Sequence, residues 1–364
     1  MAREREPTPA PRLQSLDVFR GGTIAAMILV NNPGSPAAYA PLKHVTWHGW
    51  TFTDLVFPFF LWIVGVAITL SFAKRMERGD PRGKLLLHTL KRGALIFAIG
   101  LFLNGFPYFN LSTIRIPGVL QRIAVCFLIA AAIFLYTETR GRILWTIGLL
   151  ASYWLIMTAG GDWTLENNFA RSVDGLLLSG HMYSQTKTWD PEGIVSTLPA
   201  IATVLFGIFA GQILKLRRSE EEKAVWLFFT GNCLILTGLM LSTWMPINKM
   251  IWTSSYSIFT AGIAFAVFAC AYWLTDVKGW RKYAKPLAIY GLNAIALYVL
   301  AGIFARLLSV IRIDGNSLRS LIWRNGFEPL APAPEASLLF SIAHVLLFYA
   351  IAYWFYRKNW IVRV

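Results

Sequence analysis

The sequence predicts an all-α, polytopic integral membrane protein of about ten transmembrane helices with both termini in the cytoplasm. Three observations predict it. Hydrophobic residues make up 56% of the 364 and charged residues only 15%, a balance foreign to soluble globular domains. Windows of about 20 residues, nearly free of charge, recur along the chain and are long enough to cross ~30 Å of hydrocarbon. The cations behind the net charge of +15 sit in short segments between those windows, where they orient a membrane protein. That distribution argues against a nucleic-acid partner and for membrane lipids.

The expected spans are 16–32, 53–73, 89–106, 117–137, 142–160, 194–214, 224–244, 253–274, 286–308 and 336–356, set by continuous apolar runs and the polar segments that end them. The first opens with Asp17 and Arg20 and ends at Asn31 and Asn32 before Pro33-Gly34. Its charges, and the distance of Ala38-Tyr39-Ala40 beyond its apolar end, argue against a cleaved signal peptide. The second follows the loop LKHVTWHGW and opens with Asp54. The fourth carries Gln121 and Arg122, and the ninth carries Asn293 and Arg306; Arg306, near a span end, is expected to snorkel. Cys126, Cys233 and Cys270 all fall inside spans and read as packing residues, with no metal spacing and no disulfide framework.

An even number of spans puts both termini on one side. The segments on that side hold 23 of the 34 Lys and Arg residues, which the positive-inside rule assigns to the cytoplasm. His44 and His48 then face outwards, as do two long loops, 161–193 and 309–335. Residues 1–14 read as a disordered cytoplasmic tail and 15–364 as a single transmembrane domain, with neither an internal repeat nor a Gly/Ser linker.

Titratable groups at a membrane edge are candidates for function, and the 42–54 segment concentrates them. His44 and His48 stand i, i+4. The segment HVTWH lacks the glutamate of a zinc-binding HExxH, so general-base chemistry suits the histidines better than a metal. Trp47 and Trp50 fit either sugar stacking or interfacial anchoring. Asp54 fits either an Asp–His orienting bond or stabilisation of a helix N-terminus. Asn31 could donate to a developing oxyanion or cap its helix. For Asn104, Gln121, Asn293 and His344, interhelical hydrogen bonds compete with a role in lining a cavity.

Several motifs resemble a known family. They are Ser15-Leu16-Asp17-Val18-Phe19-Arg20-Gly21, Lys43-His44-x-x-Trp47-x-Gly49-x-Thr51-x-x-Asp54-Leu55-Val56-Phe57-Pro58 and Gly118-Val119-Leu120-Gln121-Arg122. Asp190-Pro191-Glu192-Gly193, Asn248-Lys249 with Trp252-Thr253-Ser254-Ser255-Tyr256, and Gly291-x-Asn293-Ala294 follow in order. Together they resemble the bacterial relatives of heparan-α-glucosaminide N-acetyltransferase.

The resemblance implies a multi-pass acyltransferase of the bacterial inner membrane, a homodimer that needs no metal. It implies transfer of acetyl from cytoplasmic acetyl-CoA to the amine or hydroxyl of a glucosamine-type sugar on the periplasmic side. The histidine of the Lys-His-x-x-Trp block is catalytic in the family, here His44, with Asn31 beside it. His48 occupies a position that is Asn in the lysosomal enzyme. The lumenal N-terminal extension of lysosomal members is not expected in this membrane core. In this reading Asp54 orients His44. Asp17, Arg20, Arg92, Gln121, Arg122 and Asn293 bind the donor, with the arginines suited to phosphate. Trp47, His48, Trp50, Asp190, Glu192, Lys249 and Trp252 bind the acceptor. The alternative class is a transporter or channel, which predicts inverted repeats and matching broken helices.

Overall fold

The computed structural model describes residues 13–362; the tail expected at 1–14 lies almost wholly outside them. The described chain is helical but for one small hairpin, in which β1 (Arg312–Ile313) pairs antiparallel with β2 (Asn316–Ser317). The long helices are α1 (Gln14–Asn31), α2 (Phe52–Glu77), α3 (Arg82–Gly105), α4 (Val119–Tyr136) and α5 (Thr139–Gly160). They continue with α7 (Thr197–Leu214), α8 (Glu220–Leu241), α9 (Ser254–Tyr272), the pair α10 (Arg281–Leu292) and α11 (Ala294–Val310), and α13 (Ala333–Arg357). The short α6 (Phe169–Leu177) and α12 (Leu318–Gly326) lie in the two long loops, which are therefore structured rather than plain connectors.

Eight of these helices are each long and apolar enough to cross a membrane, and the α10–α11 pair, bent by 68°, makes a ninth when counted as one broken span. The fold is an all-α multi-pass membrane protein, as expected. Two spans differ from expectation. The ninth is broken at Asn293, whose side chain bonds to the C-terminal segment at Trp360 and Val362. α1 is a helix where a span was expected but falls outside the nine. Its 18 residues include Gln14, Asp17, Arg20 and Asn31, which dilute its apolar content.

Polar residues fix the helix ends. Ser219 caps α8 by accepting from Glu222 N at 3.2 Å, and Thr253 caps α9 by accepting from Tyr256 N at 3.4 Å, satisfying amides that a helix cannot pair itself. Asp276, in the π-helical turn after α9, accepts from Ser15 N at 3.0 Å and so ties that turn to the start of α1.

With lipid outside, helices associate through close backbone approach at small residues. A Cβ added to Gly65 of α2 would lie 1.9 Å from Val204 O of α7, and one at Gly207 would lie 1.9 Å from Trp62 O. Gly21 of α1 and Gly291 of α10 meet in the same way, at 1.8 Å from Leu287 O and 2.0 Å from Asp17 O. Among the eight spans α2, α4, α7 and α9 are the most enclosed; Trp62, Trp252, Tyr256 and Phe265 are each 0% exposed. The three cysteines are free, and only Cys126 is buried. Cys233 and Cys270 face outwards, so they are not the interior packing residues expected.

Candidate active site

Between α1 and α2 the chain closes a tight loop. A 3-10 turn, Ala40–Leu42, packs Leu42 against the buried cluster to which α1 contributes Ile24, Met27 and Ile28 and α2 contributes Val56. Thr51 then donates its hydroxyl to Lys43 O at 2.6 Å, drawing the two ends of the 43–51 segment together. Asp54 is the N3 residue of α2 and completes a capping box, accepting from Thr51 N at 3.0 Å.

Its carboxylate is fully enclosed, and a buried charge must be paired and hydrogen-bonded. Asp54 Oδ2 accepts from Val45 N at 3.2 Å and Thr51 N at 3.0 Å, and the Thr51 hydroxyl lies 3.0 Å from it, sharing its one hydrogen with the shorter bond to Lys43 O. Oδ1 lies 2.6 Å from His44 Nδ1. A carboxylate has no proton to give, so Nδ1 carries the hydrogen and the neutral ring presents its lone pair on Nε2. Nε2 has no hydrogen-bond partner among the described residues, and the His44 side chain is 46% exposed. Both sequence readings of Asp54, the cap and the orienter, hold in the geometry. Behind it, Tyr256 donates its hydroxyl to Asp54 O, fixing α2 against α9. The arrangement is that of a base held in one tautomer by a buried acid.

The rest of the loop docks on the segment before α9. Gly49, with φ of +99°, donates its amide to Ile247 O at 2.7 Å; that positive φ suits glycine. Asn248 Nδ2 lies 3.2 Å from His48 Nδ1, and burial lowers the His48 pKa. The Lys249 ammonium lies within electrostatic reach of both Asp54 and Glu192. Trp47 donates Nε1 to Trp163 O at 2.9 Å and sets its ring edge-on to Trp189 at 5.4 Å. Trp50 is exposed, with its ring 5.0 Å from that of Phe259.

A second polar centre holds the turn before α7. Arg115 donates Nε to Asp190 Oδ2 at 2.8 Å and Nη2 to Asp190 Oδ1 at 2.5 Å, and also pairs with Glu192. Its guanidinium covers the Tyr183 ring at 4.6 Å. Burial opposes the Arg115 charge, but the bonds to Asp190 and Glu192 outweigh it and raise the pKa. Burial likewise opposes ionisation of Glu192, and Arg115, Lys249 and Arg122 overcome it and hold the pKa down. From α6, Asp174 accepts from Asp190 N at 3.1 Å and Ile194 N at 3.0 Å. From α4, Arg122 donates Nη2 to Gly193 O at 2.9 Å and to Ser196 Oγ at 2.5 Å. Arg115 was not among the residues singled out from the sequence. Its signal was there: it is the sole charged residue between Phe106 and Gln121.

Three expected roles change. Trp252 is wholly buried, with Nε1 3.3 Å from Thr203 Oγ1 and its ring edge-on to Phe57 and Tyr256, so it packs the core and has no face for a sugar. Asn293 donates Nδ2 to Trp360 O at 2.9 Å and accepts from Val362 N at 2.8 Å; its amide ties the C-terminal segment to the helix break, a structural task in place of the expected donor contact. Asp190 is engaged by Arg115 and by the amides of Tyr183 and Glu192, which makes it the frame of its turn.

The remaining candidates are dispersed. Asn31 ends α1, exposed and without a hydrogen-bond partner among the described residues. Arg20 Nη1 is 3.3 Å from Asp17 Oδ1 and 3.4 Å from Gly291 O. Arg92 lies on an exposed face of α3 with its guanidinium 5.7 Å from the Phe127 ring. Arg306 Nη1 bonds back to Gly302 O at 3.4 Å, rather than reaching outwards. No cluster of three or more His, Cys, Asp or Glu able to hold a metal occurs among the described residues.

Comparison with known proteins covers both centres. A family profile described as heparan-alpha-glucosaminide N-acetyltransferase, catalytic, matches residues 12–244. The mouse heparan-alpha-glucosaminide N-acetyltransferase (Mus musculus) is 30% identical, over 81% of this chain and 54% of its own length. The human protein of that name (Homo sapiens) is 29% identical, over 79% of this chain and 52% of its own. The chain thus spans about half the length of the curated relatives it matches. With His44, Asp54, Arg115, Arg122 and Glu192 all inside the matched region, the chain belongs to the heparan-α-glucosaminide N-acetyltransferase catalytic family.

Proposed function

We propose that the chain is a transmembrane acetyltransferase that moves an acetyl group from acetyl-CoA to the amine, or hydroxyl, of a glucosamine-type sugar. The observation that carries this reading is the His44–Asp54 pair. A half-exposed imidazole, fixed at Nδ1 by a buried carboxylate and free at Nε2, is the equipment for removing a proton from an attacking amine. In the proposed mechanism His44 Nε2 takes that proton as the nitrogen attacks the thioester carbon. Asn31 steadies the oxyanion, CoA leaves as the thiolate, and Asp54 stabilises the imidazolium. Lys249 and Glu192 flank the acceptor, with Trp47, His48 and Trp50 at its entrance.

With α1 counted as a tenth crossing, the cation distribution supports a membrane orientation with both termini in the cytoplasm and His44 on the opposite face, and the resemblance to bacterial relatives supports a bacterial inner membrane as the setting. In that orientation Arg20 and Arg92 are available to the nucleotide end of the donor, and its pantetheine arm carries the thioester towards His44. The family leaning is towards a homodimer. Purified protein given acetyl-CoA and a panel of amino sugars tests the reading by CoA release. Acceptor-dependent release supports it, and no release with any amino sugar overturns it. A burst of CoA without acceptor would replace direct transfer by an acetyl-histidine route.

A further inference from the structure

His48 shares with His44 the loop that the Thr51–Lys43 bond closes, but its hydrogen-bond partner is of the opposite kind. The Asp54 carboxylate can only accept, and so it holds the hydrogen of His44 on Nδ1. His48 Nδ1 instead faces Asn248 Nδ2, at 3.2 Å. The other end of the Asn248 amide settles which atom points at the ring. Two backbone amides, Met250 N at 2.7 Å and Ile251 N at 3.2 Å, converge on that other end. A backbone N–H donates and never accepts, so the atom they meet is the oxygen and the group facing His48 is the NH2.

An NH2 group also donates and never accepts. His48 Nδ1 therefore carries a lone pair, and the hydrogen of the neutral ring sits on Nε2. Protonating the ring would set Nδ1–H against the Asn248 NH2, so the same contact resists the imidazolium; burial acts in the same direction. The bracket is firm. Asn248 is 0% exposed, donates its amide to Thr253 Oγ1 at 3.1 Å and accepts from Thr253 N at 3.1 Å. On either side of His48, Gly49 is tied to Ile247 O and Trp47 to Trp163 O. The His48 side chain is nonetheless exposed, and its Nε2 has no hydrogen-bond partner among the described residues. One loop thus offers two imidazole Nε2 atoms of opposite polarity, a lone pair at His44 and an N–H at His48.

We propose that His48 is a fixed N–H donor to an oxygen of the bound substrate, complementary to the proton acceptor His44. Two oxygens have the required chemistry: a hydroxyl beside the amine of the acceptor, and the thioester oxygen on which charge develops. The tautomer stands on the geometry alone, whereas the substrate contact rests on the acyl-transfer reading.

Nitrogen NMR of histidine-labelled full chain in lipid reads the tautomer without turnover, the His48 signals being those lost in His48→Phe. The expected result is a bare Nδ1 and a protonated Nε2 for His48, and the reverse for His44. Asn248→Asp replaces the NH2 by an acceptor oxygen and should move the His48 hydrogen to Nδ1. An Nδ1–H tautomer in the wild type, or an unchanged tautomer in Asn248→Asp, overturns the assignment. Transfer assays then compare glucosamine with cyclohexylamine, which has no hydroxyl. A loss in His48→Phe of about tenfold in kcat/KM with glucosamine alone, the worth of one hydrogen bond, identifies the hydroxyl. A loss of about a hundredfold with both amines identifies the thioester oxygen. His48→Gln keeps an N–H donor and should lose less than His48→Phe; equal losses, or no loss with either amine, overturn the contact. Absence of transfer by the wild type would overturn the contact together with the acyl-transfer reading, and the NMR result decides the tautomer by itself.

Discussion

Replacing Asp54 with asparagine separates the base from its orienter without removing either side chain, and the structure dictates which way the new amide turns. Two backbone donors face Asp54 Oδ2, from Val45 N and Thr51 N, and His44 Nδ1 faces Oδ1. Asparagine has one acceptor oxygen and one donor NH2. Placing the oxygen towards His44 would set the NH2 against both backbone amides, so the oxygen turns to Val45 and Thr51. The amide then donates to His44 Nδ1, which moves the imidazole hydrogen to Nε2 and removes the lone pair that accepts the substrate proton. A positioned general base contributes about 10²–10⁴ in rate, so kcat should fall by about that factor with KM little changed. Stability should fall by about 1.5–3 kcal/mol for the lost charged hydrogen bond. Acetyl transfer from acetyl-CoA to glucosamine, followed by CoA release, measures the first effect, and thermal unfolding measures the second. A correctly folded Asp54→Asn protein with kcat within threefold of wild type would refute the reasoning.

Arg115→Met should lower stability by about 3 kcal/mol, because it strands Asp190 and Glu192 in a largely enclosed site; an unchanged melting temperature would show that the carboxylates find other partners. Gly65→Ala should destabilise by about 1–3 kcal/mol, since its methyl meets Val204 O. Gly22→Ala, with nothing within 4 Å of the new methyl, should be neutral or stabilising by up to about 1 kcal/mol; thermal unfolding of the two variants side by side checks the contrast. The lowered pKa of His48 means that the unfolded chain binds the proton more tightly. The contribution of neutral His48 is therefore complete above about pH 6.5 and declines as pH falls below it. In unfolding scans from pH 7.5 to 5, His48→Asn should flatten that part of the decline, and a curve parallel to wild type would assign it elsewhere.

The spans were legible because each lipid-facing helix needs a continuous apolar run, and the charges between runs have nowhere else to go. α1 and the ninth span read less well for physical reasons. α1 pairs Asp17 with Arg20 and packs Gly21 on Gly291, so protein contacts rather than lipid stabilise it. The 68° break at Asn293 coincides with hydrogen bonds to Trp360 and Val362, which are remote in sequence. The His44–Asp54 pair was legible because both partners lie within one loop and one helix start. Arg115 was not, since its partners are 75 and 77 residues away. Trp252 misled for the opposite reason: a tryptophan in a matched motif suggested a sugar platform, whereas its ring is wholly buried against Phe57 and Tyr256.

The most direct test of the central claim is acetyl transfer to glucosamine by purified His44→Gln, measured beside wild type at matched folding and matched acetyl-CoA binding. The account predicts that donor binding survives while transfer falls by at least about a hundredfold. Transfer at the wild-type rate would contradict it and remove His44 from the chemistry.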